Sequence, residues 1–166
     1  MARFGTERSI GGVSLHEWSK GAVGGFVGGI VFGLVIQFWM PEDVILRAIP
    51  SLYGFSGPAP MIGWVFHLVH TTLFGLIYAK IVGYDGLTKF ANEPVTGAVA
   101  GAIYAYGLMV VITVIFSLAI FAGIDVPEEL PLPYLGMISY FGFTAFGAVL
   151  GVTYAFLGGE SDRKTL

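Results

Sequence analysis

His67 and His70 are the residues in this chain whose type and spacing invite chemistry. They stand three apart, on one face of a helix. Both fall inside Met61–Ala79, MIGWVFHLVHTTLFGLIYA, an apolar run long enough to cross a hydrocarbon core. Ionisable side chains are rare in such a setting and as a rule have a specific partner. Three roles are open to the pair. A metal site needs further ligands, and the chain's other apolar runs contain no His, Cys, Asp or Glu. A haem could take His67 or His70 as an axial ligand. One helical turn cannot serve both sides of the same iron, so a second ligand would have to come from a partner or another copy. The third role is hydrogen bonding by two neutral imidazoles. Their expected partners are Thr71, Thr72, Thr113, Ser139, Tyr104 or backbone carbonyls, and no metal or resident cofactor is expected.

Other chemistries find no support. The chain has no cysteine, which removes thiolate catalysis, disulfides and iron–sulfur ligation. It has no Ser/His/Asp arrangement, no phosphate-binding loop and no metal-protease motif. A proton pump or transporter usually keeps carboxylates or broken helices at mid-membrane, and the apolar runs hold neither acids nor internal prolines. The expectation is therefore a protein that is not an enzyme. A net charge of −3 argues against nucleic acid as a partner.

The elements that position the histidines follow from the hydropathy. Of 166 residues, 55% are hydrophobic and 11% charged, with a mean hydropathy of +0.80. A soluble domain averages about 25% charged. Four nearly charge-free runs, about 21–40, 61–79, 95–122 and 134–157, predict an all-α membrane protein with four transmembrane helices. They are too long and continuous for barrel strands. The first ends in Phe38-Trp39-Met40-Pro41-Glu42, with no small-residue cleavage site, so it does not read as a signal peptide. Residues 1–20 form an amino-terminal segment, 21–157 the transmembrane domain and 158–166 a short tail.

Along the chain, Ser14-Leu15-His16-Glu17 reads as a capping box that starts the first helix before the span does. Gly21, Gly25, Gly29 and Gly33 then recur every fourth residue, flanked by Gly24 and Gly28. Each glycine costs about 1 kcal/mol against alanine in a helix, so this many implies close approach of another backbone or a flat ligand. Gln37 is placed to hydrogen-bond across helices. In the connection 41–60, Glu42–Ile49 is expected to lie in the interface with Val44, Ile45, Ala48 and Ile49 toward lipid. Asp85-Gly86 marks a turn and Pro94 a helix restart. The third helix, at 28 residues, must tilt or project. Glycines return in the fourth, Gly147 and Gly151 among them, and are assigned to helix packing with the first set. Asp125, Glu128 and Glu129, with Glu42 and Asp43, form an acidic set on one side of the membrane.

Seven of the eight Lys and Arg residues lie in the amino-terminal segment, the 80–94 loop and the tail, which predicts both termini in the cytoplasm. Sliding the sequence by 76 places Gly21-Ala22-Val23 on Gly97-Ala98-Val99 and Gly25 on Gly101. The same register sets Gly75 on Gly151 and Tyr78-Ala79 on Tyr154-Ala155, as two tandem two-helix repeats would. It sets His67 and His70 on Phe143 and Phe146, so the histidines belong to one half alone.

The stretch HLVHTTLFGLIYA, preceded by IPSLYGFSG, resembles a group of small uncharacterised four-helix membrane proteins of salt-loving archaea. The resemblance covers most of residues 20–157. Members often carry the label "histidine kinase", which this chain does not support, as it has no room for a nucleotide-binding domain. The resemblance implies a non-catalytic accessory subunit of a larger membrane complex, a respiratory oxidase among the candidates. The competing expectation is a homo-oligomeric permeation protein or a small-ligand or cofactor-binding membrane protein. Partners would be other membrane subunits, further copies of the chain, and lipid.

Overall fold

The computed structural model describes residues 9–10, 12–40, 43–84, 87–125 and 136–163. The expected turn at Asp85-Gly86 and the acids Glu42, Glu128 and Glu129 lie outside the described residues. A small antiparallel pair, β1 (Ser9–Ile10) with β2 (Val13–Ser14), turns at Gly12, whose φ of 82° suits glycine. Ser14 then caps α1 (Leu15–Trp39) as a capping box. Its Oγ accepts from the Glu17 N–H at 3.2 Å, and the Glu17 carboxylate accepts from the Ser14 N–H at 3.2 Å.

After α1 come a π-helical turn at Val44–Ala48, α2 (Ile49–Ser51), α3 (Pro60–Val82), α4 (Thr88–Ala91), α5 (Pro94–Phe121) and α6 (Met137–Arg163). Pro60 and Pro94 open their helices where a missing N–H is harmless. Four helices, α1, α3, α5 and α6, are long and apolar enough to cross a membrane.

Helix α1 is flanked by α3 on one side and α6 on the other, and α6 carries α5 in turn. All three packings are antiparallel, so α1 begins and α6 ends at the same end of the bundle. The glycines set the spacing. A Cβ on Gly21 would overlap the Gly75 carbonyl and lie 2.6 Å from the Ala79 Cβ; one on Gly25 would overlap the Thr71 carbonyl and sit 2.9 Å from the Gly75 Cα. Gly29 accommodates the Thr71 side chain, and Gly33 the Trp64 ring. Removing four Cβ atoms lets two backbones touch, which compensates for the helix propensity lost. Gln37 ends this row, its Oε1 accepting from Trp64 Nε1–H at 2.8 Å.

The same contacts recur 76 residues on. Gly97 meets the Gly151 carbonyl and the Ala155 Cβ, while Gly101 meets the Gly147 carbonyl. Ala105 stands where Gly29 does and touches Gly147, the counterpart of Thr71.

One expectation is overturned. Val44, Ile45, Ala48 and Ile49 do not face outward; all four are buried, Ala48 completely. The π-helical turn folds back onto α3, where the Ile45 carbonyl presses so close to Gly63 that no side chain would fit. The chain closes this fold by donating Ala59 N–H to the Leu46 carbonyl at 2.9 Å. Apolar side chains suit a protein interior as well as lipid, and here packing on α3 wins.

Candidate functional site

The histidines sit at a gap in the bundle, and the register of 76 explains the gap. Where α1 meets α6, Gly24 and Gly28 lie against Leu150 and Phe146; a Cβ on either would come within 2.8 Å of α6. The corresponding positions are Ala100 and Tyr104 on α5, with Phe74 and His70 of α3 in the places of Leu150 and Phe146. Tyr104 fills with a ring the place a glycine leaves empty, and its hydroxyl donates to the Phe74 carbonyl at 2.7 Å. Helices α3 and α5 are thus held apart and barely meet backbone to backbone. Beyond Tyr104 the separation continues as a cavity of about 350 Å³. Phe32, Ile36 and Met40 of α1, His67, His70, Thr71 and Phe74 of α3, Ile112 and Phe116 of α5 and Phe143 of α6 line it. Val44, Ile49, Leu52 and Tyr53 cover its end.

His67 belongs to the α1–α3 contact. It is 4% exposed, and its Nε2–H donates to the Gly29 carbonyl at 2.9 Å. With that proton on Nε2, the neutral ring carries its lone pair on Nδ1. Trp64 stands edge-on to the imidazole and Phe32 lies tilted against it, with centroids 5.9 and 5.6 Å away. A backbone carbonyl was among the expected partners, and Gly29 can supply one because it has no side chain.

His70, one turn on, is half-buried at the cavity wall. Its Nε2 hydrogen-bonds the Tyr53 hydroxyl, and the Tyr53 ring stacks on Phe66, centroids 3.6 Å apart with planes at 1°. Tyr53 was not among the expected partners. The two stand 17 positions apart in sequence, with two positive-φ glycines, Gly54 and Gly57, between them, so only the folded-back 44–57 segment brings them together. Among the described residues, neither histidine bonds a side chain of Thr72, Thr113, Ser139 or Tyr104. Thr113 keeps a buried hydroxyl without a partner.

The imidazoles therefore do different work. The first holds two helices; the second holds the cavity's cover. Both Nε2 atoms already serve protein partners, and no group of three His, Cys, Asp or Glu side chains suited to a metal occurs among the described residues.

A second polar cluster lies at the opposite end of the bundle. Lys20 is 3% exposed; its Nζ donates to Asn92 Oδ1 at 3.0 Å and lies 4.1 Å above the Tyr154 ring centre. A lysine at a span's edge normally reads as reaching outward to water, so the sequence concealed this inward course. Gly158 makes room for the ammonium, since a Cβ there would sit 3.1 Å from Nζ. Of the acidic set, Asp43 pairs with Arg47 at 2.9 Å and Asp125 is exposed. Comparison with protein-family models, curated proteins and solved structures finds no match to this chain.

Proposed function

We propose that this chain is an integral membrane protein built from two tandem copies of a helical hairpin. It spans the bilayer four times with both termini in the cytoplasm, and works without catalysis as an accessory subunit of a larger membrane complex. The observation that carries the reading is the state of α5. This helix buries only Gly97, Gly101, Ala105 and Met109, and from Val110 to Phe121 no residue is buried. Within its most apolar stretch 11% is buried, against 33–44% for the other three long helices. A 28-residue helix that gives so little of itself to its own bundle is suited to a neighbouring subunit. Orientation is supported by Lys20, Lys80 and Lys89, which stand at the end where α1 begins and α6 stops, and by the Lys and Arg count of the sequence. The resemblance stated above makes a respiratory oxidase complex the first partner to test.

Purification from the native membrane in mild detergent is the decisive experiment. Stoichiometric co-migration with larger membrane subunits is expected. A self-assembled ring of this chain with no other subunit would overturn the proposal and favour a homo-oligomeric permeation protein. The small-ligand reading has an observation of its own, the cavity beside His70.

A further inference from the structure

We propose that the cavity between α3 and α5 is a binding site for a small, uncharged, lipid-soluble molecule with an apolar ring body and one hydroxyl or carbonyl group held by the Tyr53–His70 pair. The inference rests on the membrane reading above but not on the partner.

Four features define the ligand. The cavity, about 350 Å³, falls within the 300–1,000 Å³ range typical of small-molecule sites. Its walls are aromatic and aliphatic, and none of the described lining residues carries a fixed charge, so an ion would be desolvated there without compensation. The polar groups of Tyr53 and His70 gather on one side, and the tautomer question does not remove their capacity. If His70 donates, the Tyr53 O–H proton is left for a ligand carbonyl; if Tyr53 donates, its oxygen still accepts from a ligand hydroxyl. Finally, His70 is ten residues into α3 from Pro60, roughly 15 Å along the axis, near the middle of a hydrocarbon core of about 30 Å. On the membrane reading, the gap between α3 and α5 at that depth gives a lipid-soluble molecule a route to the site that does not cross water.

Repetition of the hairpin sharpens the inference. A glycine contact closes the α1–α6 side, whereas Tyr104 and His70 replace Gly28 and Phe146 on the α3–α5 side. The two departures from the repeat create the space and furnish it with a polar group.

Benzophenone is a suitable probe, being a neutral diaryl ketone that inserts into nearby C–H bonds on illumination. The full chain is reconstituted in phosphatidylcholine nanodiscs, illuminated with the probe, and mapped by mass spectrometry. Labelling is expected to concentrate on Met40, Ile112 and Phe116. Tyr53→Phe keeps the ring and removes the hydroxyl, and should weaken cavity labelling about fivefold. Ile112→Trp fills the space and should abolish it while the helical circular dichroism stays unchanged. Diphenylmethane, which lacks a polar group, should compete for this labelling about fivefold less well than diphenylmethanol, which keeps one hydroxyl. Labelling spread evenly over outward residues such as Val110 and Val114 would overturn the proposal, as would wild-type labelling in Ile112→Trp. Equal labelling of Tyr53→Phe would overturn the polar anchor. Failure of the chain to enter nanodiscs at all would instead overturn the membrane reading.

Discussion

Tyr78 of α3 and Tyr154 of α6, 76 residues apart in sequence, meet edge to face inside the bundle, ring centroids 5.4 Å apart and planes at 89°. Both are almost wholly buried. On the proposed duplication they are equivalent residues, and a residue that touches its own equivalent lies beside the axis relating the halves. Around that axis the α1–α3 and α5–α6 contacts repeat, while α1–α6 and α3–α5 diverge into one closed side and one open side.

Substitution at the glycine contacts tests this directly. Gly25→Leu and Gly29→Leu drive side chains into α3, and Gly101→Leu drives one into Gly147 and Gly151. Overlap with a backbone cannot be relieved unless the helices separate, so each variant should lose about 1–3 kcal/mol or more, seen as a lower unfolding temperature in mild detergent. Leu34→Ile, on an outward position, should stay within about 0.5 kcal/mol. Normal stability of all three leucine variants would mean that these helices do not touch through their glycines.

Much of this arrangement was legible in the sequence. The four long apolar helices show as charge-free runs, the cap as Ser14 with Glu17, and the packing faces of α1 and α6 as glycine rows. Apolar side chains say less. The apolar face formed by Val44, Ile45, Ala48 and Ile49, beside the exposed Asp43–Arg47 pair, suits a lipid surface and a protein surface alike, and so these four were misplaced. Half of the site escaped for a related reason. His70 is conspicuous, but Tyr53 looks like any interfacial tyrosine until the connection folds back over α3. Lys20 was hidden by its position near the start of α1, at the edge of an apolar run.

Orientation can be read with single cysteines, since the native chain has none. Cysteines replacing Ser51, in α2, and Ser161, near the end of α6, stand at opposite ends of the bundle. An impermeant thiol reagent added outside intact cells should label Ser51→Cys and leave Ser161→Cys unmodified until the membrane is opened. Labelling of both from outside would refute the proposed topology.

Lys20 supplies a stability prediction at the other end. Its ammonium is buried and donates to Asn92 Oδ1 at 3.0 Å. Asn92→Leu removes this acceptor while retaining much of the volume, and the loss should be about 1–3 kcal/mol, because a hydrogen bond to a buried charge is worth more than one between neutral groups. Thermal unfolding of the variant in the same detergent as the parent measures it; an unchanged midpoint would show that Asn92 contributes nothing to holding the lysine.

The histidines decide between a structural hydrogen-bonding role and a cofactor held jointly with a partner. His67 gives its Nε2–H to the Gly29 carbonyl, and its counterpart in the second half is Phe143, which packs against Phe32 as His67 does. His67→Phe therefore keeps a ring in place and gives up one hydrogen bond, a loss of about 0.5–1.5 kcal/mol. His67→Ala removes the ring as well and leaves a space beside Trp64 and Phe32, so its loss should be larger, about 2–5 kcal/mol. His70→Ala frees Tyr53 and loosens the cover over the cavity, with a smaller effect on the bundle. On the structural role, the intact native complex and complexes carrying His67→Ala or His70→Ala should give the same visible absorption spectrum wherever the assembly survives. Disappearance of a haem or metal band in either alanine variant, with every subunit still present, would show that an imidazole of this chain reaches a cofactor and that hydrogen bonding to Gly29 and Tyr53 is not its whole role.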